Sequence, residues 1–291
     1  MDTSELLKKV RKIEIKTRGL SNQVFAGEYH SAFKGKGMSF SEIREYQYGD
    51  DIRNIDWNVT ARLDQVFVKV YEEERELNVF FLIDLSASNL FGTTTLTKKE
   101  IITELFATLS FSASQNNDKV GAAFFSKDID LFVPPKKGRK HILRLIREML
   151  YLQAKSEETA IKNALQHTAN WMKKRSIIFI ISDFFDKGYE DPLRIASLKH
   201  DVVGIKVNDS FEYDLPNAGL LPMRDLESGK YFWFDTASEK ARKKVKAAFL
   251  EHQDKTRSLF RKSGAGLIEI NTGQSYITAL HAFFKNRDRT R

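Results

Sequence analysis

Residues Phe81–Leu90 read FLIDLSASNL. An apolar strand runs up to Asp84, and Ser86 and Ser88 follow at two-residue spacing. Alternate residues of an extended chain share a side, so Asp84, Ser86 and Ser88 can face one point beyond the strand end. One carboxylate and two neutral hydroxyls make a weakly charged oxygen set that suits a hard divalent cation retaining some of its waters. The same string also caps helices and tightens turns. Taken alone, it leaves both readings open.

From Leu77 onward the chain alternates strands with helices. Buried strands are predicted at Leu77–Ile83, Val120–Phe125, Ser176–Ile181, Val202–Val207 and Leu267–Ile270, with Ile129–Val133 a hairpin partner of the second. The 3.6-residue pattern predicts helices over 98–115, 138–151, 158–173, 191–199, 237–262 and 274–285. Such units imply an α/β fold, a doubly wound and mostly parallel sheet with helices on both faces. Residues 76–291 form this domain, with a loop or hairpin excursion near 208–235 marked by Pro216, Gly219 and Pro222. Residues 1–75 read as a small N-terminal subdomain packed onto it. They hold a helix over 1–18 with Leu6, Leu7 and Val10 on one side, a loop-like stretch Gly27–Ser41, and a strand Val66–Tyr71.

Composition narrows the chemistry. The 291 residues, 42% hydrophobic and 30% charged, are those of a globular protein. With no cysteine, disulfides, thiolate chemistry and Cys-ligated metals are excluded. The opening MDTSELLKKVRKIEI lacks a signal-peptide core and no apolar run is long enough for a membrane span. A cytoplasmic protein is expected. The net charge of +8 is uneven: residues 1–74 carry 12 Lys/Arg against 13 Asp/Glu, residues 230–262 carry 10 against 4. That late basic segment reads as a solvated helix face or a dock for an acidic protein rather than a nucleic-acid surface.

In an open parallel sheet, ligands collect beyond the carboxyl ends of the strands, where the strand order reverses. Two apolar strands end there in aspartate, FFLID at Asp84 and IIFIISD at Asp183. Thr159, after Glu157 and Glu158 and before the periodic AIKNALQHTANW, is either a helix cap or a further hydroxyl for the same cluster. Asp84, Ser86, Ser88, Thr159 and Asp183 with waters would suit Mg²⁺ or Mn²⁺. A second polar group, Arg44, Glu45, Asp50, Asp51, Arg53, Asp56 and Arg62, mixes acids with planar guanidinium forks. It reads as a structural network or as an interaction surface. Trp171 and Met172 read as core, and the six histidines lack zinc spacing.

The stretches FAGEYHSAFKGKGMSFSEIREYQYGDDIRNIDWNVTAR (Phe25–Arg62) and VKVYEEERELNVFFLIDLSAS (Val68–Ser88), with Phe91-Gly92 after them, resemble the DUF58 family over nearly the whole chain. That resemblance implies a von Willebrand factor A-like (vWA-like) domain with a metal-ion-dependent adhesion site, MIDAS. It carries the first metal loop onto Asp84, Ser86 and Ser88, the second onto Thr159 and the third onto Asp183. Where the second loop commonly has glycine before the threonine, this chain has Glu157 and Glu158. The resemblance further implies one open coordination position filled by an acidic residue of a protein partner, and an adaptor role beside a MoxR-type AAA+ ATPase in assembling or activating other proteins. No enzyme activity is expected, since no nucleophile–base pair is evident. The alternatives are a basic nucleic-acid-binding protein and a Mg²⁺-dependent phosphohydrolase. The latter would want a second acid two residues after Asp84, where Ser86 stands.

Overall fold

The computed structural model describes residues 10–17, 39–63, 65–72, 76–86, 97–156, 158–224 and 231–289. Contacts divide the chain into two units, Lys34–Leu77 and the combination of Met1–Phe33 with Asn78–Arg291. The division differs from the expected 1–75 boundary at its start, because residues 10–17 go with the larger unit. They are helical, and ion pairs explain their membership: Lys16 Nζ lies 2.6 Å from Glu104, and Arg139 pairs with Glu14. Leu6 and Leu7 lie outside the described residues.

In the smaller unit, β1 (Ser39–Glu45) pairs antiparallel with β2 (Phe67–Glu72). A 3₁₀ turn, Ile52–Asn54, and a helix, Trp57–Leu63, fill the connection between them.

The larger unit is built on β3 (Asn78–Asp84), β4 (Lys119–Phe125), β5 (Ile129–Lys136), β6 (Ile177–Ser182), β7 (Asp201–Asn208) and β10 (Gly266–Asn271). They form one sheet in the order β10-β7-β6-β3-β4-β5, parallel except for β5, which runs antiparallel to β4. Every residue of β6 is buried, as are Val79–Asp84 of β3. Burial on both faces is why these strands read as continuous apolar runs. β5 carries Pro134 and Pro135, which a sheet tolerates at an edge.

Alternation along β3 separates two cores. Phe81 faces the helix Lys98–Gln115, meeting Phe106 edge-on at 4.8 Å between ring centres, and stacks on Phe179 of β6 at 5.3 Å. Phe80 and Leu82 point the other way, into a cluster with Ile161, Leu165, Leu193 and Phe260 from the helices Ile161–Trp171, Glu190–Lys199 and Glu239–Ser263. Trp171 packs on that cluster, its ring 4.2 Å from Phe132. The helix Lys98–Gln115 starts where expected because Thr97 and Glu100 form a reciprocal capping box. The helices Arg139–Tyr151 and Tyr276–Arg289 complete the layers, and the excursion contains a separate hairpin, β8 (Leu220–Arg224) with β9 (Tyr231–Asp235).

At Gly121 a Cβ would lie 2.7 Å from the backbone nitrogen of Pro135. That atom belongs to the paired strand and cannot swing aside. Gly121→Ala is therefore expected to cost about 1–3 kcal/mol, read as a lower urea midpoint. An unchanged midpoint would mean that β5 yields without penalty.

Candidate functional site

After β3 the chain moves to β4 on one side of the sheet, and later to β6 on the other. The order therefore reverses between β3 and β6, and the crevice at their carboxyl ends is the topological switch point. Parallel register sets Ile83 beside Ile181, which brings Asp84 level with Ser182. The Ser182 hydroxyl donates to Asp84 Oδ2 at 2.7 Å and the Ser86 amide to Oδ1 at 2.8 Å. The Ser86 hydroxyl also donates to the Asp84 carboxylate. Thr159 Oγ1 lies 3.5 Å from Oδ2, at the outer limit of a hydrogen bond. Asp84, Ser86, Ser182 and Asp183 are all buried.

Thr159 is not a helix cap. The helix begins two residues later, at Ile161, with Ala160 in the cap position and no side-chain cap of its own. The Ile161 amide instead donates to Asp186 Oδ2 at 2.7 Å, and the Ala160 amide to the Ser126 carbonyl at 3.0 Å. The segment is thus pinned by its neighbours, and the threonine hydroxyl is left to face Asp84. Glu158 turns to Lys127, with 2.9 Å between the charged atoms. Ser88 and Glu157 lie outside the described residues.

The turn leaving β6 is strained. Phe184 has φ of 59°, a left-handed conformation that costs a non-glycine residue about 1–3 kcal/mol and clusters at functional sites. Its ring is fully buried against Phe260. Its amide donates to Ser182 Oγ at 3.1 Å, and its carbonyl accepts from His252 Nε2 at 3.0 Å. Because that carbonyl can only accept, Nε2 carries the proton, and His252 Nδ1 accepts from Lys206 Nζ at 3.2 Å. The Phe185 ring stacks on His252 at 3.9 Å and is 44% exposed.

Charge is finely set here. Burial, and then the negative Asp183 nearby, push the Asp84 carboxyl up to about 7 despite the hydroxyls and amide that favour its ionised form. Burial pulls the Lys206 ammonium down to about 8, against the attraction of Asp183. Two carboxylates crowded together with several hydroxyls are a donor set that fits one hard, partly hydrated cation. Among the described residues, no three His, Asp or Glu side chains gather as an acid-rich metal cluster. A Mg²⁺-type ion would thus lean on Asp84, Ser86, Thr159 and Asp183, and would offset the charge that raises Asp84.

Ser182, Asp186, Lys206 and His252 escaped the sequence reading. Ser182 and Lys206 left a signal, each being a polar residue inside an otherwise apolar strand.

Among the described residues of the smaller unit, the acid–arginine group makes local contacts. Arg44 clasps Asp50 with two bonds of 2.8 and 2.7 Å, and the Gln47 amide joins them at 2.8 Å. Asp51 caps the 3₁₀ turn and meets the exposed Arg53. Asp56 accepts from the amides of Asn58 and Val59 and pairs with Lys69 at 3.4 Å. The Glu45 carbonyl accepts from Arg44, and Arg62 is exposed.

An α/β protein with a polar crevice at the switch point is the class these features define. The chain belongs to the family DUF58, described as protein of unknown function, whose model matches residues 42–255. An uncharacterized protein of Mycobacterium tuberculosis is 29% identical over 295 residues, covering 99% of this chain and 92% of that protein. Among solved structures, the conserved hypothetical protein BatB from Bacteroides thetaiotaomicron is similar at 17% identity and a TM-score of 0.49, over 74% of this chain and 100% of that one. The SpRpn10 VWA domain is similar at 12% identity and a TM-score of 0.41, over 71% and 94%.

Two outcomes are expected. Asp84 takes up its proton more readily folded than unfolded, so without metal it lowers stability as pH rises from about 4 to about 7. Asp84→Asn should therefore melt above the parent in EDTA at pH 8, with the gap closing towards pH 4. Mg²⁺ should raise the parent's melting temperature and not the variant's. A gap independent of pH would remove the charge argument. In the smaller unit, Arg44→Ala should lower the melting temperature more than Arg53→Ala, whose partner contact is open to solvent. The reverse order would show that the Asp50 clasp holds nothing.

Proposed function

We propose that this protein is a metal-dependent protein–protein interaction module of the vWA type, and that it serves as an adaptor of a MoxR-type AAA+ ATPase in the assembly or activation of other proteins. One observation carries the reading: Asp84, Ser86 and Thr159 share a point at the switch of strand order, and Thr159 has no capping duty to explain its position. Asp84, Ser86, Ser88, Thr159 and Asp183 would hold one Mg²⁺ or Mn²⁺. Bound there, the ion supplies an unfilled position to which a partner's Asp or Glu adds a charge-assisted contact. Phe185, half-exposed on the rim, would give that partner an apolar contact beside the ion.

In this reading the rim positions oxygens, and the part of its carboxylates is to orient hydroxyls and waters about the ion. Asp84 is already engaged by Ser182 and Ser86. The test is a binding assay with a purified MoxR-type ATPase, in Mg²⁺ and in EDTA, beside a turnover assay with phosphate esters. Binding is expected only with metal, and Asp84→Ala or Thr159→Ala should weaken it at least about tenfold. Binding that survives EDTA would sink the metal-dependent reading. Turnover abolished by Asp84→Ala and Ser86→Ala alike would replace it with a metal hydrolase.

A further inference from the structure

The hairpin β8–β9 stands apart from the main sheet as a two-stranded ribbon. Its register places Asp235 opposite Leu220, Trp233 opposite Pro222 and Tyr231 opposite Arg224, so Leu220, Pro222, Tyr231 and Trp233 lie on one face, with Asp235 at its base. Leu220 is 65% exposed, Tyr231 76% and Trp233 71%. The opposite face carries Phe232, itself 46% exposed. Large apolar side chains therefore meet solvent on both faces of a ribbon that is marginal by itself.

The ribbon's base is held firmly. Buried Thr236 donates through its amide and hydroxyl to the Gly219 carbonyl, at 2.8 and 2.6 Å, and accepts from the Ala218 amide at 3.0 Å. Arg242, in the first turns of the helix Glu239–Ser263, donates to the Thr236 and Ala237 carbonyls. Ribbon and helix start thus present one surface. On that helix Lys243 pairs with Glu239 and Lys246 with Asp214. Lys240 and Lys244 are exposed and, among the described residues, in no ion pair.

We propose that this ribbon and the adjoining basic turns form an interfacial anchor that docks the protein on an anionic membrane surface. Two features favour lipid over a protein partner. A protein cleft covers one face of a ribbon, whereas a headgroup layer surrounds both, and here both faces carry exposed rings. Tryptophan and tyrosine also prefer the boundary between headgroup and acyl chain, and lysines beside them add attraction to anionic lipid. The contact is peripheral, since no described helix is long and apolar enough to cross a membrane. It is independent of the Asp84 crevice.

Co-sedimentation with vesicles tests it, comparing pure phosphatidylcholine with a mixture containing about a third phosphatidylserine. The parent should pellet with the anionic vesicles, in EDTA as in Mg²⁺, and its tryptophan emission should shift to the blue. Tyr231→Ser with Trp233→Ser should weaken binding at least about tenfold without lowering the melting temperature. Lys240→Glu with Lys244→Glu, which leaves every ring in place, should erase the preference for anionic lipid. A parent that stays in the supernatant with both vesicle types overturns the proposal, as does pelleting unchanged by both pairs of substitutions. If instead the serine pair loses a purified ATPase while vesicles never bind the parent, the ribbon is a protein-docking element and the lipid reading is wrong.

Discussion

Two neighbouring parallel strands, each buried on both faces, end level with one another, and the candidate site follows from that constraint. β3 and β6 can be all-apolar only because helices cover the sheet on either side. The first places where polar groups can appear are their carboxyl ends, and the pairing of Ile83 with Ile181 brings those ends to one line. Asp84 and Ser182 meet there through a 2.7 Å bond. Slipping β6 by one residue would turn its side chains, Ser182 included, to the opposite face of the sheet. The hydrophobic effect buries the two strands, and their register sets the polar geometry.

Charge sets the second level of order. Burying two acids close together is costly, and the rim meets the cost partly with hydroxyls and partly with a lysine. Lys206 sits fully buried on β7, between the rings of Phe185 and Phe249 at 5.3 and 5.5 Å, with Asp183 and Glu269 drawing its charge. Its contact with His252 continues to the Phe184 carbonyl, so one chain of polar contacts supports the strained residue next to Asp183. Lys98 is likewise fully buried and finds Glu212 on the turn after β7. These two buried lysines each lie in the field of an acid, as buried ions require.

Much of the larger unit was legible because its signals are local. The helix Lys98–Gln115 announces itself through Thr97 and Glu100, and β3, β4 and β6 through uninterrupted apolar runs. The smaller unit was harder. β1 begins inside a stretch rich in glycine and lysine, and Trp57–Leu63 is a short helix with no buried residue, so neither has a strong period to read. Of the candidate site, the residues that announce themselves at strand ends, Asp84 and Asp183, could be named from sequence. Ser182, Asp186 and Lys206 could not be assigned, because their partners lie on other elements and are set by the fold alone.

Thr159 shows how such long-range placement works. Its own helix does nothing to hold it, having no cap from its first residues. Asp186, on the turn beyond β6, reaches across to the Ile161 amide, and the Ser126 carbonyl, at the end of β4, takes the Ala160 amide. Removing an acid that caps a helix typically costs about 1 kcal/mol, but here it would also release the segment that brings Thr159 to Asp84. The loops after β4 and β6 therefore position the hydroxyl jointly, one through a backbone carbonyl and one through a carboxylate. The contributors come from the ends of β3 and β6 and from the segment before the helix Ile161–Trp171, each held by contacts made to another. In the proposed reading, that mutual support is what lets a partner's carboxylate meet an arrangement already in place rather than one that must be ordered on binding.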